Sequence, residues 1–128
     1  MPGFSKQNAP VVEDFGPVVA RHDEDVHGYA IQFLQFRPEM DSAPFLRGLP
    51  DDRCQCPHWG YVLKGELTFT FADHTETYRP GDAFYVPAGH TPANAEDTEY
   101  LQFSPTSELR VVSETIQRNA AAMGVIET

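Results

Sequence analysis

Short stretches in which apolar and polar positions alternate make up most of this chain, and glycine and proline separate them. Residues 29–37 alternate weakly and are rich in aromatic side chains (Tyr29, Phe33, Phe36), which predicts a strand. Pro38 ends it, because the residue before a proline is pushed out of regular pairing geometry. Pro44, Gly48 and Pro50 then punctuate a loop. Residues 59–71 are apolar and in part β-branched or aromatic, with a break at Lys64-Gly65, and predict two strands joined by a tight turn. Ala72-Asp73-His74-Thr75 is a second turn. Arg79-Pro80-Gly81-Asp82 puts proline and glycine where a type II turn wants them. A strand over 83–86, a turn at Pro87-Ala88-Gly89 and a last core strand over 99–103 follow. Short strands at regular spacing, with no helix between them, indicate an all-β sandwich or barrel.

The two ends read differently. Residues 1–25 hold Pro2, Gly3, Pro10, Gly16 and Pro17 with only short apolar pairs between them, and predict an arm with at most a brief strand. From residue 107 the period changes: Leu109, Val112, Ile116, Ala120 and Met123 recur at three and four residues, and Gly124 is a C-cap candidate. The expected organisation is therefore an arm (1–25), a barrel (26–106) and one short C-terminal helix with its tail (107–128). The helix is expected to lie on the barrel or on a partner subunit.

With 128 residues and 41% hydrophobic content the chain suits one core. Nine phenylalanines, five tyrosines and one tryptophan make that core bulky. No apolar run reaches the roughly 18 residues of a membrane span, and no basic segment precedes an apolar one as in a signal peptide. A cytoplasmic protein with reduced cysteines is the expectation. A net charge of −10 repels phosphates and anionic lipid surfaces, so neither nucleic acid nor membrane is an expected partner.

Candidate chemistry is concentrated in two clusters: Cys54-Gln55-Cys56-Pro57-His58 and Pro87-Ala88-Gly89-His90. In a regular strand Cys54, Cys56 and His58 would share a face, and His90 could close the set from another strand. Thiolates with imidazoles favour zinc, or another divalent transition metal, over magnesium or calcium. A pair of buried free cysteines packing as small hydrophobes is the competing reading. His22, His27 and His74 lie among acidic or turn residues and are expected to be exposed.

Together these residues resemble the cupin superfamily of small β-barrels (double-stranded β-helix, or jelly roll). Gly81, Pro87, Gly89, His90 and Asn94 follow the order of the family's second signature stretch. Gly65 occupies the place of the hairpin glycine of the first stretch, which puts His58 where that stretch has a glutamate, Cys54 at its second histidine and Asp52 at its first. Pro92 stands where the family has its last histidine. The resemblance covers roughly residues 29–104 and implies the cupin barrel. The usual ligands imply an iron or manganese oxygenase, whereas the Cys/His set here points to a site rebuilt for zinc.

Two functions follow as expectations. If Cys54, Cys56, His58 and His90 all bind, the zinc is closed and structural, within a module that binds a small molecule. If Cys54 stays out and only Cys56, His58 and His90 bind, the fourth position is open to water or substrate and the reading is a metalloenzyme (hydrolase, isomerase or dioxygenase). Tyr29, Phe33, Phe36, Tyr61, Tyr85 and Tyr100 are candidates to line a pocket, with core packing the alternative. Gln102, in phase with Tyr100, is either a partner of the site or a surface residue. A homodimer is expected, with the arm added to the partner's sheet edge.

Overall fold

The computed structural model describes residues 3–125; residues 1–2 of the expected arm and 126–128 of the expected tail lie outside the described residues. Ten strands form two antiparallel sheets: β1 (Val11–Asp14), β2 (Val18–Val26), β3 (Tyr29–Phe36), β4 (Met40–Asp41), β5 (His58–Lys64), β6 (Leu67–Thr70), β7 (Thr75–Tyr78), β8 (Ala83–Val86), β9 (Thr91–Asn94) and β10 (Thr98–Pro105). One sheet has six strands in the order β1-β2-β3-β10-β5-β8, and the other has four in the order β4-β9-β6-β7. Helix α1 (Thr106–Ala122) follows.

The inner faces of both sheets meet in a core of Phe36, Val62, Leu67, Phe69, Phe84, Val86 and Tyr100. Strand parity explains which side chains reach it. In β10, Thr98, Tyr100, Gln102 and Ser104 are buried, while Glu99, Leu101, Phe103 and Pro105 are not. In β5, His58 and Val62 point inward, so Trp59, Tyr61 and Leu63 face outward. Tyr61, Tyr85 and Tyr29 are accordingly exposed and do not line a pocket. Phe33 packs outside the barrel on Phe4. Gly65, between β5 and β6, has φ +81°, and a Cβ there would sit 2.2 Å from Thr98 Oγ1. Only glycine tolerates that turn without displacing its neighbour.

The segment expected as an arm holds two full strands. β1 and β2 form a hairpin, and β2 pairs along β3 of the same chain from Val18↔Phe36 to Val26↔Tyr29. This hairpin escapes a reading by pattern because its outward face is mostly charged (Arg21, Asp23, Asp25), which lowers β-propensity, while its inward face is buried at Ala20 and His22. The apolar stripe of α1 packs on its own barrel: Leu109, Val112 and Ile116 meet Leu46, Leu49, Cys54 and Cys56. Asn119 Nδ2 ties the helix down by donating to Phe45 O (2.7 Å) and Arg47 O (2.9 Å). The 3-10 turn at Ala43–Leu46 is its platform.

Candidate metal centre

Three of the four predicted ligands converge. Cys54 pairs with His90 in an isolated antiparallel bridge, with Cys54 N donating to His90 O at 2.8 Å. His58 begins β5 directly beside them. The donor atoms of Cys54, His58 and His90 all lie within 4.8 Å of one another, and Cys54 Sγ is 3.6 Å from His58 Nε2. All three residues are buried, His90 completely.

Hydrogen bonds orient both imidazole rings. His90 Nδ1 donates to Pro87 O at 2.7 Å, which leaves Nε2 as the atom with the free lone pair. That Nε2 is buried and has no hydrogen-bond partner among the described residues. His58 Nδ1 lies 2.7 Å from Ser104 Oγ, so its Nε2 is directed at Cys54. Burial pushes the His58 pKa down to about 3, and the neighbouring His90 adds to the effect. Burial also lowers the His90 pKa. Both rings are therefore neutral at ordinary pH, the form that binds metal. Burial raises the Cys54 thiol to about 11; without a cation it stays protonated. A buried, unpartnered imidazole nitrogen beside a thiol and a second imidazole is costly unless a positive ion uses it. The donor set fits a transition metal.

Cys56 does not join this group. The expected shared face needs a regular strand from 54 to 58, but β5 starts at His58, and the link through Gln55-Cys56-Pro57 is irregular. Strand parity does not carry across it. Cys56 instead packs under α1, fully buried, with Sγ 3.4 Å from Pro57 O. Its thiol is pushed up to about 12, by burial first and then by Cys54 and Glu108, against a hydrogen bond from Ser104. Ser104 thus sits between the His58 ring and the Cys56 thiol. It was not singled out from sequence, although it shares the inward parity of Tyr100 and Gln102.

The three donors stand in the wall of a cavity of about 470 Å³. Phe36, Phe69 and Tyr100 give it apolar surface, and Gln32, Gln102 and His22 give it polar surface. His22, expected to be exposed, is 7% exposed and bonds Glu13 Oε1 at 2.8 Å through Nε2. Glu24 joins this pair at the outer end of the cavity wall. His27 and His74 are exposed, as expected.

Residues 54–103, which contain all three donors, match the family model of the cupin domain. The fold is that of a cupin β-barrel. Solved structures agree on the barrel. A cupin superfamily protein of Desulfitobacterium hafniense aligns at TM-score 0.54 and 20% identity, over 70% of this chain and 78% of that one. The polyketide cyclase RemF of Streptomyces resistomycificus aligns at 0.61 and 17%, over 83% and 80%. An RmlC-like cupin of Shewanella frigidimarina aligns at 0.56 and 17%, over 80% and 88%. At these identities the likeness is one of fold. A comparison with curated proteins gives no match.

Proposed function

We propose that this cupin binds one zinc ion through Cys54, His58 and His90, and that its cavity holds a small molecule against the ion's remaining position. The observation that carries the reading is the unpartnered, buried Nε2 of His90, grouped with Cys54 and His58 on the cavity wall. Zinc takes four ligands, and sites with three protein ligands keep one position for solvent or substrate. Bound there, zinc would polarise a heteroatom of the ligand as a Lewis acid. The chain's own residues prepare the site. Pro87 O holds the His90 tautomer, Ser104 orients the His58 ring, α1 closes over Cys54 from outside, and Phe69 packs edge-on against the His90 ring at 5.1 Å.

The open position also supports a metalloenzyme, because Tyr100 places the one tyrosine of the cavity wall among the described residues. Burial raises its pKa, so it is held protonated and able to donate. Zinc has no redox chemistry, which favours a hydrolase or isomerase over a dioxygenase. A homodimer belongs to the same proposal. Its support is the aromatic outer face of the large sheet, where Tyr29, Trp59 and Tyr85 are exposed and Trp59 packs against both tyrosines.

Elemental analysis of protein purified without added metal tests the proposal. About one zinc per chain, lost on chelation with the appearance of one newly titratable thiol, is expected. Protein without transition metal, or metal that survives His90→Ala, would overturn it.

A further inference from the structure

The cavity wall carries a polar row that no metal ligation requires. On the inner face of the large sheet, Gln102 of β10 stands directly opposite Gln32 of β3, and Gln32 stands opposite His22 of β2. Both glutamines are buried, at 5% and 8% exposure, and both line the cavity. Gln102 Nε2 donates to Gln32 Oε1 at 2.8 Å. Among the described residues that is the only hydrogen bond either amide makes. The neighbours on each side offer nothing more. His22 spends its Nε2 on Glu13. On the other flank Gln102 faces Gly60, where a Cβ would lie 2.3 Å from the Phe84 ring that fills the space. The carbonyl of Gln102 and the free N–H groups of Gln32 therefore have only the cavity to turn to. Neither is among the fully enclosed atoms without a partner, so both remain accessible from it.

Buried amide groups left unmatched are costly, so the contents of the cavity must match them. The register sets where. Gln102 is two residues from Ser104, the partner of His58, along β10, a separation of about 7 Å at strand rise. The metal-facing end of the cavity and the amide pair are thus one pleat apart. The facing wall is apolar, with Phe69, Phe45, Met40 and Pro92. The charged side chains lining the cavity are mostly carboxylates, Glu13, Glu24 and Glu114 against Arg110, and the nearer end of the polar row carries the Glu13 carboxylate on His22.

We infer that Gln32 and Gln102 select the ligand: the cavity takes a small, flat, uncharged molecule with a carboxamide-type edge, one donor and one acceptor side by side, about one pleat from its metal-binding atom. A carboxylate in that place would face two neutral amides and a nearby negative charge, and would lose its hydration without a direct ion-pair partner on the polar row. A purely apolar group would leave the amides unpaired. This inference rests on the reading of the cavity as a small-molecule site beside zinc.

Matched probes separate the two. Binding of isonicotinamide, isonicotinate and 4-methylpyridine to the full-length, zinc-analysed protein is measured by calorimetry, with benzamide and toluene as a pair that needs no metal. Isonicotinamide should bind at least tenfold tighter than 4-methylpyridine and than isonicotinate, and benzamide tighter than toluene. In Gln32→Leu/Gln102→Leu, which replaces both partners by apolar groups of similar size, the amide preference should vanish while 4-methylpyridine binding and zinc content stay. Gln102→Glu, which keeps the shape, should also lower isonicotinamide affinity and guards against a folding defect in the double variant. Equal affinities across the series, or a preference that survives in the variants, overturn the inference and leave the metal reading standing. Absence of zinc overturns the metal reading, and the benzamide and toluene pair then still decides the role of the glutamines.

Discussion

The burial of His58 has a measurable consequence in the metal-free protein. Its imidazole titrates near 6.5 when exposed but is held at about 3 in the fold. Between these values the unfolded chain takes up a proton that the folded chain refuses, so lowering the pH favours unfolding. The contribution is intact above about pH 6.5 and is lost as the pH falls toward 3. The cost between pH 7 and pH 5 is about 2 kcal/mol, at 1.36 kcal/mol per unit of separation once the unfolded imidazole is mostly charged. His90, also lowered, acts in the same direction. The thiols have the opposite sign. Cys54, raised to about 11, and Cys56, raised to about 12, keep protons that the unfolded chain gives up near pH 9. Stability should therefore also fall as the pH rises above about 9. Urea denaturation of chelated protein at pH 5, 6, 7 and 8, beside His58→Gln, measures the acid limb. The substitution removes the titrating ring, and the difference between pH 7 and pH 5 should shrink by about 2 kcal/mol. An unchanged slope in the variant would refute the argument that this ring is held neutral by burial.

Three further outcomes are expected. Cys54→Ser and His90→Ala should each retain less than a tenth of the zinc, whereas Cys56→Ser should retain most of it, as elemental analysis of the three variants will show; equal loss in Cys56→Ser would restore that residue to the ligand set. Gly65→Ala should destabilise the fold by about 1–3 kcal/mol, because alanine must adopt a positive φ and push on Thr98, and a wild-type urea midpoint would contradict the turn geometry. Light scattering at micromolar concentration should give about twice the 14.3 kDa chain mass and return to one chain in Trp59→Glu, while a monomeric mass for the intact protein would refute pairing through the aromatic sheet face.

The barrel was legible because its strands obey a local rule. Alternation and Gly/Pro turns fixed β3, β5, β6, β8 and β10 to within a residue or two, since each strand buries one face. The N-terminal hairpin was not legible. What makes β2 a strand is its long pairing with β3, and a run such as Arg21-His22-Asp23-Glu24-Asp25 carries no local sign of that partner. The burial of His22 was hidden for the same reason. His58 and His90 could be placed from the spacing of Gly65, Gly81, Pro87 and Gly89, because those turns set the register of the strands around them. Cys56 lies apart from the other three because at Pro57 the chain leaves strand geometry and parity is interrupted. Ser104 and Gln102, by contrast, could have been assigned. They share the inward parity of Tyr100, and a polar residue at an inward position of a barrel strand needs a partner inside.

The central claim is one zinc held by one thiolate and two imidazoles, with a position left for a small molecule. Zinc-edge X-ray absorption of the protein as purified tests it most directly. One sulfur, two imidazole nitrogens and one light atom that changes when a pyridine ligand is added are predicted. A spectrum with two sulfurs and no exchangeable atom, or no zinc edge at all, would contradict it.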